Sequence, residues 1–166
     1  EGEGYVSFIV STDQYLTDIT KSNVSDFATL PVAEDFILTI TGADGASVWS
    51  GSSKDWDSTT KIKAGQYTVT ASYGDIEEEG FGKPCFMGTA TFEVKGKETT
   101  PVHIQTSLAN TVVRVSCTEN LQNYYKDYTF TLERNNTQIV TFAKGETRGA
   151  FIDGYKVTVT GTLTAE

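Results

Sequence analysis

Histidine, cysteine and proline are scarce in this chain of 166 residues, with one, two and three copies respectively. With His103 the single histidine, a Ser-His-Asp triad would have to converge on the one strand that carries it. No Cys-x-x-Cys pair, Gly-x-Ser-x-Gly elbow, phosphate loop or His-x-x-x-His spacing occurs. No apolar run approaches the ~20 residues that a bilayer-spanning helix needs. Basic residues are scattered singly, with no basic stripe interleaved with aromatics, so nucleic acid is not an expected partner. Asp and Glu outnumber Lys and Arg by 22 to 13, and the net charge of −9 also opposes direct docking on anionic lipid. The expectation is a protein that is not an enzyme and holds neither cofactor nor metal.

What the chain does have is alternation. In Gly65-Gln-Tyr-Thr-Val-Thr-Ala-Ser-Tyr73 the residues Tyr67, Val69, Ala71 and Tyr73 fall on one face, and Thr68, Thr70 and Ser72 on the other. The same period of two aligns Val6, Phe8 and Val10, then Phe36, Leu38 and Ile40, then Ala90, Phe92 and Val94, then Val102, Ile104 and Leu108. Gly, Asn, Asp and Ser separate these runs, the punctuation of an antiparallel β-sandwich. The segment from Asp13 to Glu34 is polar and irregular, and only a short helical turn is expected, within residues 120–126.

The pattern then starts again. Val10-Ser-Thr-Asp13 is echoed by Val115-Ser-Cys-Thr-Glu119, Asp35–Ile40 by Asp127–Leu132, and the glycine-led strand at Gly65 by one at Gly154. The preserved order predicts an all-β fold of tandem antiparallel β-sandwich units, immunoglobulin-like or prealbumin-like. The first covers residues 1–109; the second, smaller one covers 110–166 and is expected to be cut short. Without a Pro/Ser-rich linker the units are expected to abut, with Tyr67 and Val69 in the first core and Tyr155, Val157 and Val159 in the second.

Few residues invite chemistry. Trp49, Trp56 and Tyr73 are the candidates for a platform on which sugar rings stack. Asp75, Glu77, Glu78 and Glu79 offer hard oxygen ligands, but consecutive glutamates lack the alternation of a calcium loop and read as a solvated run. His103 alternates outward with Gln105 and Ser107 as a surface residue. Cys85 and Cys117 are too few for a disulfide scaffold; both are expected as free thiols, Cys117 buried beside Val113 and Val115, Cys85 nearer the surface. Asn23-Val-Ser25 and Asn135-Asn-Thr137 match the N-glycosylation pattern, and Asp57-Ser-Thr59 resembles a short O-glycosylation sequence of Bacteroidales.

Gly4-Tyr-Val-Ser-Phe8, Phe36–Ile40, Lys63–Ala71, Gly88–Val94, Leu108–Val115 and Phe142–Arg148 together resemble a family of Bacteroidales surface lipoproteins whose defining domain has no assigned function. Its members are similar in style to fimbrillin-type adhesins and prealbumin-like modules. The resemblance implies export, a lipidated cysteine upstream of Glu1 as the sole tie to the membrane, and display at the outer membrane. A start at Glu1 rather than methionine fits a processed form. The expected function is a non-catalytic cell-surface module: an adhesin, a pilus component or a structural spacer. Its partners would be other surface or pilus proteins, and it would exist as a monomer or a strand-exchanged assembly. The alternative is a glycan-binding module of a polysaccharide-uptake system.

Overall fold

The computed structural model describes residues 2–16 and 22–165. Its strands follow the alternation read above. In chain order they are β1 (Glu3–Thr12), β2 (Ile37–Gly42), β3 (Ser47–Ser52), β4 (Ile62–Lys63), β5 (Gly65–Tyr73), β6 (Gly80–Phe81) and β7 (Phe86–Val94). Then come β8 (Thr99–Leu108), β9 (Thr111–Val113), a single helical turn and a half α1 (Glu119–Tyr124), β10 (Tyr125–Arg134), β11 (Thr137–Ala143), β12 (Ala150–Ile152) and β13 (Thr158–Ala165). The fold is all-β and sandwich-like. Part of the irregular segment after β1, residues 17–21, lies outside the described residues, as do Glu1 and Glu166.

Seven strands form one sheet in the order β3-β2-β5-β7-β8-β1-β4. β7 and β8 pair only where Phe86 and Met87 meet Leu108 and Ser107; beyond that, β8 leaves and runs beside β1. Gly88 sits at this departure, where a Cβ would lie 2.2 Å from the carbonyl oxygen of Gln105, so no side chain fits between the strands. The two halves of the sheet then face each other across one core. Phe36, Leu38, Ile40, Val69, Ala71 and Phe86 from one side are buried against Val6, Val102 and Ile104 from the other.

One pairing departs from the antiparallel expectation: β1 and β8 run parallel over eight residue pairs, from Tyr5 with Thr99 to Thr12 with Thr106. Parallel neighbours need a long crossover, and here the layer β2 to β7 supplies it. Alternation fixes which side of a strand is buried but carries no information on its direction.

The second group is built on the antiparallel sheet β11-β10-β13. β10 and β11 join through Asn135 and Asn136, both at positive φ (49° and 62°), the backbone of a type I′ hairpin turn. Leu132, Val140 and Phe142 are buried on its inner face against Ala150 and Ile152. Tyr155 and Val159, expected in this core, are instead 82% and 54% exposed, while Val157 packs against it. The glycine-led repeat fails because Gly154 (φ +69°) forms a bend: β13 begins only at Thr158, and all eight of its residues are exposed. The cysteines likewise exchange their expected places. Both are free, but Cys85 is buried at the start of a core strand and Cys117, beyond the end of β9, is only half-buried.

Between the two cores lies the short sheet β6-β12-β9. Phe151, paired with Val112 and Gly80, points into the first core; Ala150, paired with Val113 and Phe81, and Ile152 point into the second. This sheet is therefore apolar on both faces, and each face closes a different core. Its strands come from three distant parts of the chain. Asn110 braces it from the side: its Oδ1 accepts from the Cys85 N–H at 3.1 Å and its Nδ2 donates to the Lys83 carbonyl at 2.9 Å.

Truncating a buried phenylalanine typically costs ~3–5 kcal/mol, against ~5–15 kcal/mol for a whole domain. Phe151→Ala is expected to destabilise both cores. In urea titrations, indole fluorescence from Trp49 and Trp56 and NMR signals from β10 should shift together to lower midpoints. Separate transitions would mean the shared sheet does not couple them. Tyr155→Ala, with its ring in solvent, should move the midpoint by no more than ~0.5 kcal/mol.

Candidate functional site

Trp49 and Trp56 come together. Trp49 is registered with Ile40 on the inner face of edge strand β3, and its ring lies along Gly51, where a Cβ would stand 3.1 Å from the indole. Trp56 follows the single turn Ser53–Asp55 and swings back over the sandwich edge. Its ring meets Trp49 edge-on at 5.1 Å and Phe8 at 5.4 Å. Its Nε1–H donates to the Val6 carbonyl at 2.9 Å, which satisfies the indole's one polar atom and fixes its orientation. Phe8 and Trp56 then line an open cavity of about 330 Å³, rimmed by Ser7, Glu34, Lys54 and Ser58. An aromatic wall with hydroxyl, carboxylate and ammonium groups at its rim is chemically suited to a sugar ring, which offers C–H faces and a belt of hydroxyls.

Tyr73 does not join them. It sits four residues along β5 from Val69, which lies in the row of Trp49, so it is displaced by about 13 Å at the usual rise of a strand. Its ring packs against Phe36 at 5.9 Å, and it lines a separate cavity of about 170 Å³ with the acidic loop. A flat platform of all three rings is therefore not formed.

The acidic loop is tied into the protein by its own hydrogen bonds and ion pairs. The Asp75 carboxylate accepts from the Glu77 N–H at 2.9 Å, and Glu78 pairs with Lys83 at 3.2 Å. Glu79 does more: one carboxylate oxygen accepts from Arg134 at 2.5 Å and the other from the Asp153 N–H at 2.8 Å. Arg134 also donates to the Asp153 carbonyl at 2.6 Å. Three segments, the loop before β6, the end of β10 and the bend after β12, are locked by one closed ring of charge-assisted bonds. Sequence reasoning missed this clamp because Arg134 is 55 residues from Glu79 and no local pattern links them. Among the described residues, no group of three or more His, Cys, Asp or Glu side chains could hold a metal ion.

His103 is exposed on β8, as expected, and its Nε2 lies 2.6 Å from the Ser11 hydroxyl on the parallel neighbour β1. The pair stands on the open outer face of the sandwich, not in a cleft, so it lacks the enclosure that acyl-transfer chemistry uses. Burial, with smaller contributions from Asp75 and Asp153, pushes the Cys85 thiol up, which keeps it protonated and unreactive.

The clamp has a pH signature. The hydrogen bond from Arg134 holds the Glu79 carboxyl below its ordinary value, with burial opposing. Glu146 behaves similarly: the Arg148 guanidinium lowers it to about 2. A carboxyl depressed in the folded state stabilises the protein above its unfolded value of ~4.3, and that contribution is lost as pH falls through the folded value. Acid titration of the urea midpoint should therefore show stability falling below about pH 4. Glu79→Gln should cost roughly 1–3 kcal/mol at neutral pH and flatten part of that fall. An unchanged acid limb in Glu79→Gln would mean that the clamp carries no stability.

No curated protein matches this chain. Among the solved structures that match, two are similar at very low identity. A candidate polysaccharide-binding protein (DUF1812) from Bacteroides thetaiotaomicron has 10% identity and a TM-score of 0.43, over 98% of this chain and 72% of that one. A candidate adhesin from Bacteroides ovatus has 6% identity and a TM-score of 0.40, over 99% of this chain and 74% of that one. Across residues 2–166 the sequence matches a single family, and the chain belongs to it: the domain of unknown function DUF4493.

Proposed function

We propose that this domain is a non-catalytic module of an exported surface protein, acting as an adhesin, pilus component or structural spacer. The observation that carries the reading is the mechanical continuity of the chain. The stretches 1–109 and 110–166, which we take as its two units, share the wall β6-β12-β9 and are clamped by Glu79, Arg134 and Asp153. A spacer or a load-bearing adhesin requires that its parts not move independently, and a two-faced apolar sheet with a closed polar ring meets that requirement. Pulling the domain by its two ends should give one unfolding event. Glu79→Gln should lower the force of that event without splitting it. Two separate events in the wild type, or hydrolysis of ester or glycoside substrates at enzymatic rates, would sink the reading.

A second reading is favoured by the cavity beneath Trp56. In it, the module holds a glycan, with Phe8 and Trp56 against the sugar face and Glu34 and Lys54 at the rim. On a glycan array, binding should disappear in Trp56→Ala and weaken about tenfold or more in Glu34→Ala and Lys54→Ala, both exposed positions that leave the core alone. Tyr73→Ala should retain binding. No binding by the folded wild type to any glycan would leave the spacer or adhesin reading alone.

A further inference from the structure

We propose that the domain pairs with a second copy of itself through β13, edge to edge, about a two-fold axis at Gly161. β13 is bonded on one side to β10, from Tyr125 with Ala165 to Glu133 with Thr158. It ends the sheet, so its other side presents a row of backbone N–H and C=O groups with no strand beside it among the described residues. Natural edges are blunted by charge, proline or brevity. β13 has none of these: its eight residues are Thr-Val-Thr-Gly-Thr-Leu-Thr-Ala. The edge strand β4, by contrast, is only two residues long, Ile62–Lys63, and carries a lysine.

The side chains point to what covers this edge. Val159 and Leu163 are registered with Leu132 and Tyr128, both buried, so they continue the apolar inner face of the sheet one strand past its covering layer. They remain 54% and 44% exposed. Gly161, between them, faces the ring of Phe130, which lies where a Cβ would stand at 2.9 Å. The spacing is self-complementary. Antiparallel pairing about Gly161 sets Val159 against Leu163 of the second copy and Leu163 against its Val159, on one common face. Thr160 meets Thr162 of the second copy on the other face. The copies each carry −9 and repel in general, but no charged side chain lies on the strands that meet. The result is a continuous six-stranded sheet from two three-stranded ones.

A seam of two eight-residue strands is small, so the association is weak and is read by sedimentation velocity from about 10 μM to about 1 mM. The wild type should shift from monomer to dimer across that range. Thr160→Lys with Thr162→Lys places ammonium groups opposite each other in the pair and nowhere else. It should weaken the dimer about tenfold or more, with an unchanged melting midpoint because both positions are exposed. Thr160→Glu with Thr162→Glu should do the same, and an equimolar mixture of the two double variants should recover the dimer. A wild type that stays monomeric at about 1 mM overturns the proposal. So does a double-lysine variant that dimerises like the wild type, or a mixture of folded variants that stays monomeric.

Discussion

The structure depends on a three-residue strand having two faces. Ala150, Phe151 and Ile152 are all fully buried, yet they serve different cores, because successive side chains of a strand point opposite ways. A sheet buried on both faces cannot alternate apolar with polar, and this one does not. Neither core closes without it. The first would be open at Val112 and Phe151, the second at Val113, Ala150 and Ile152. Polar groups on both sides hold that sheet in place: Asn110 bridges the segments on one side, and the ring of Glu79, Arg134 and the Asp153 backbone closes the other.

Much of the first core was legible in the sequence. Each apolar row from Val6 to Ile104 falls inward as its period of two requires, because those strands have one dry and one wet face. Three things were not legible. The direction of β1 beside β8 is set by a crossover running from β2 to β7, which leaves no local mark. The three-residue runs at Val112 and Phe151 are too short for a period to show. At Tyr155 the alternation belongs to no strand, because the residue sits in the bend at Gly154; at Val159 it is real but idle, since β13 lies beyond the layer that would cover it, and a side chain's parity says nothing about whether a second layer exists.

The candidate site divides in the same way. Trp49 and Trp56 are seven residues apart and meet because a tight turn reverses the chain between them. Tyr73 shares the inward face of Trp49 but not its position along the sheet, and parity along a strand says nothing about which rings become neighbours. The acidic run shows the opposite error. Composition made Glu77, Glu78 and Glu79 equivalent, whereas the fold leaves Glu77 exposed, pairs Glu78 at the surface and gives Glu79 alone two partners from remote segments.

The interleaving of the shared wall also bears on how such a chain comes to be folded. Residues 80–81, 111–113 and 150–152 must meet before the wall exists, so the first core stays open on one side until nearly the whole sequence is at hand. A chain emerging from its amino end cannot finish one half and begin the next. Its closure is late and non-local, of the kind that makes β-proteins slow to fold. Completion therefore waits for Ala150–Ile152, whatever the earlier strands have already paired.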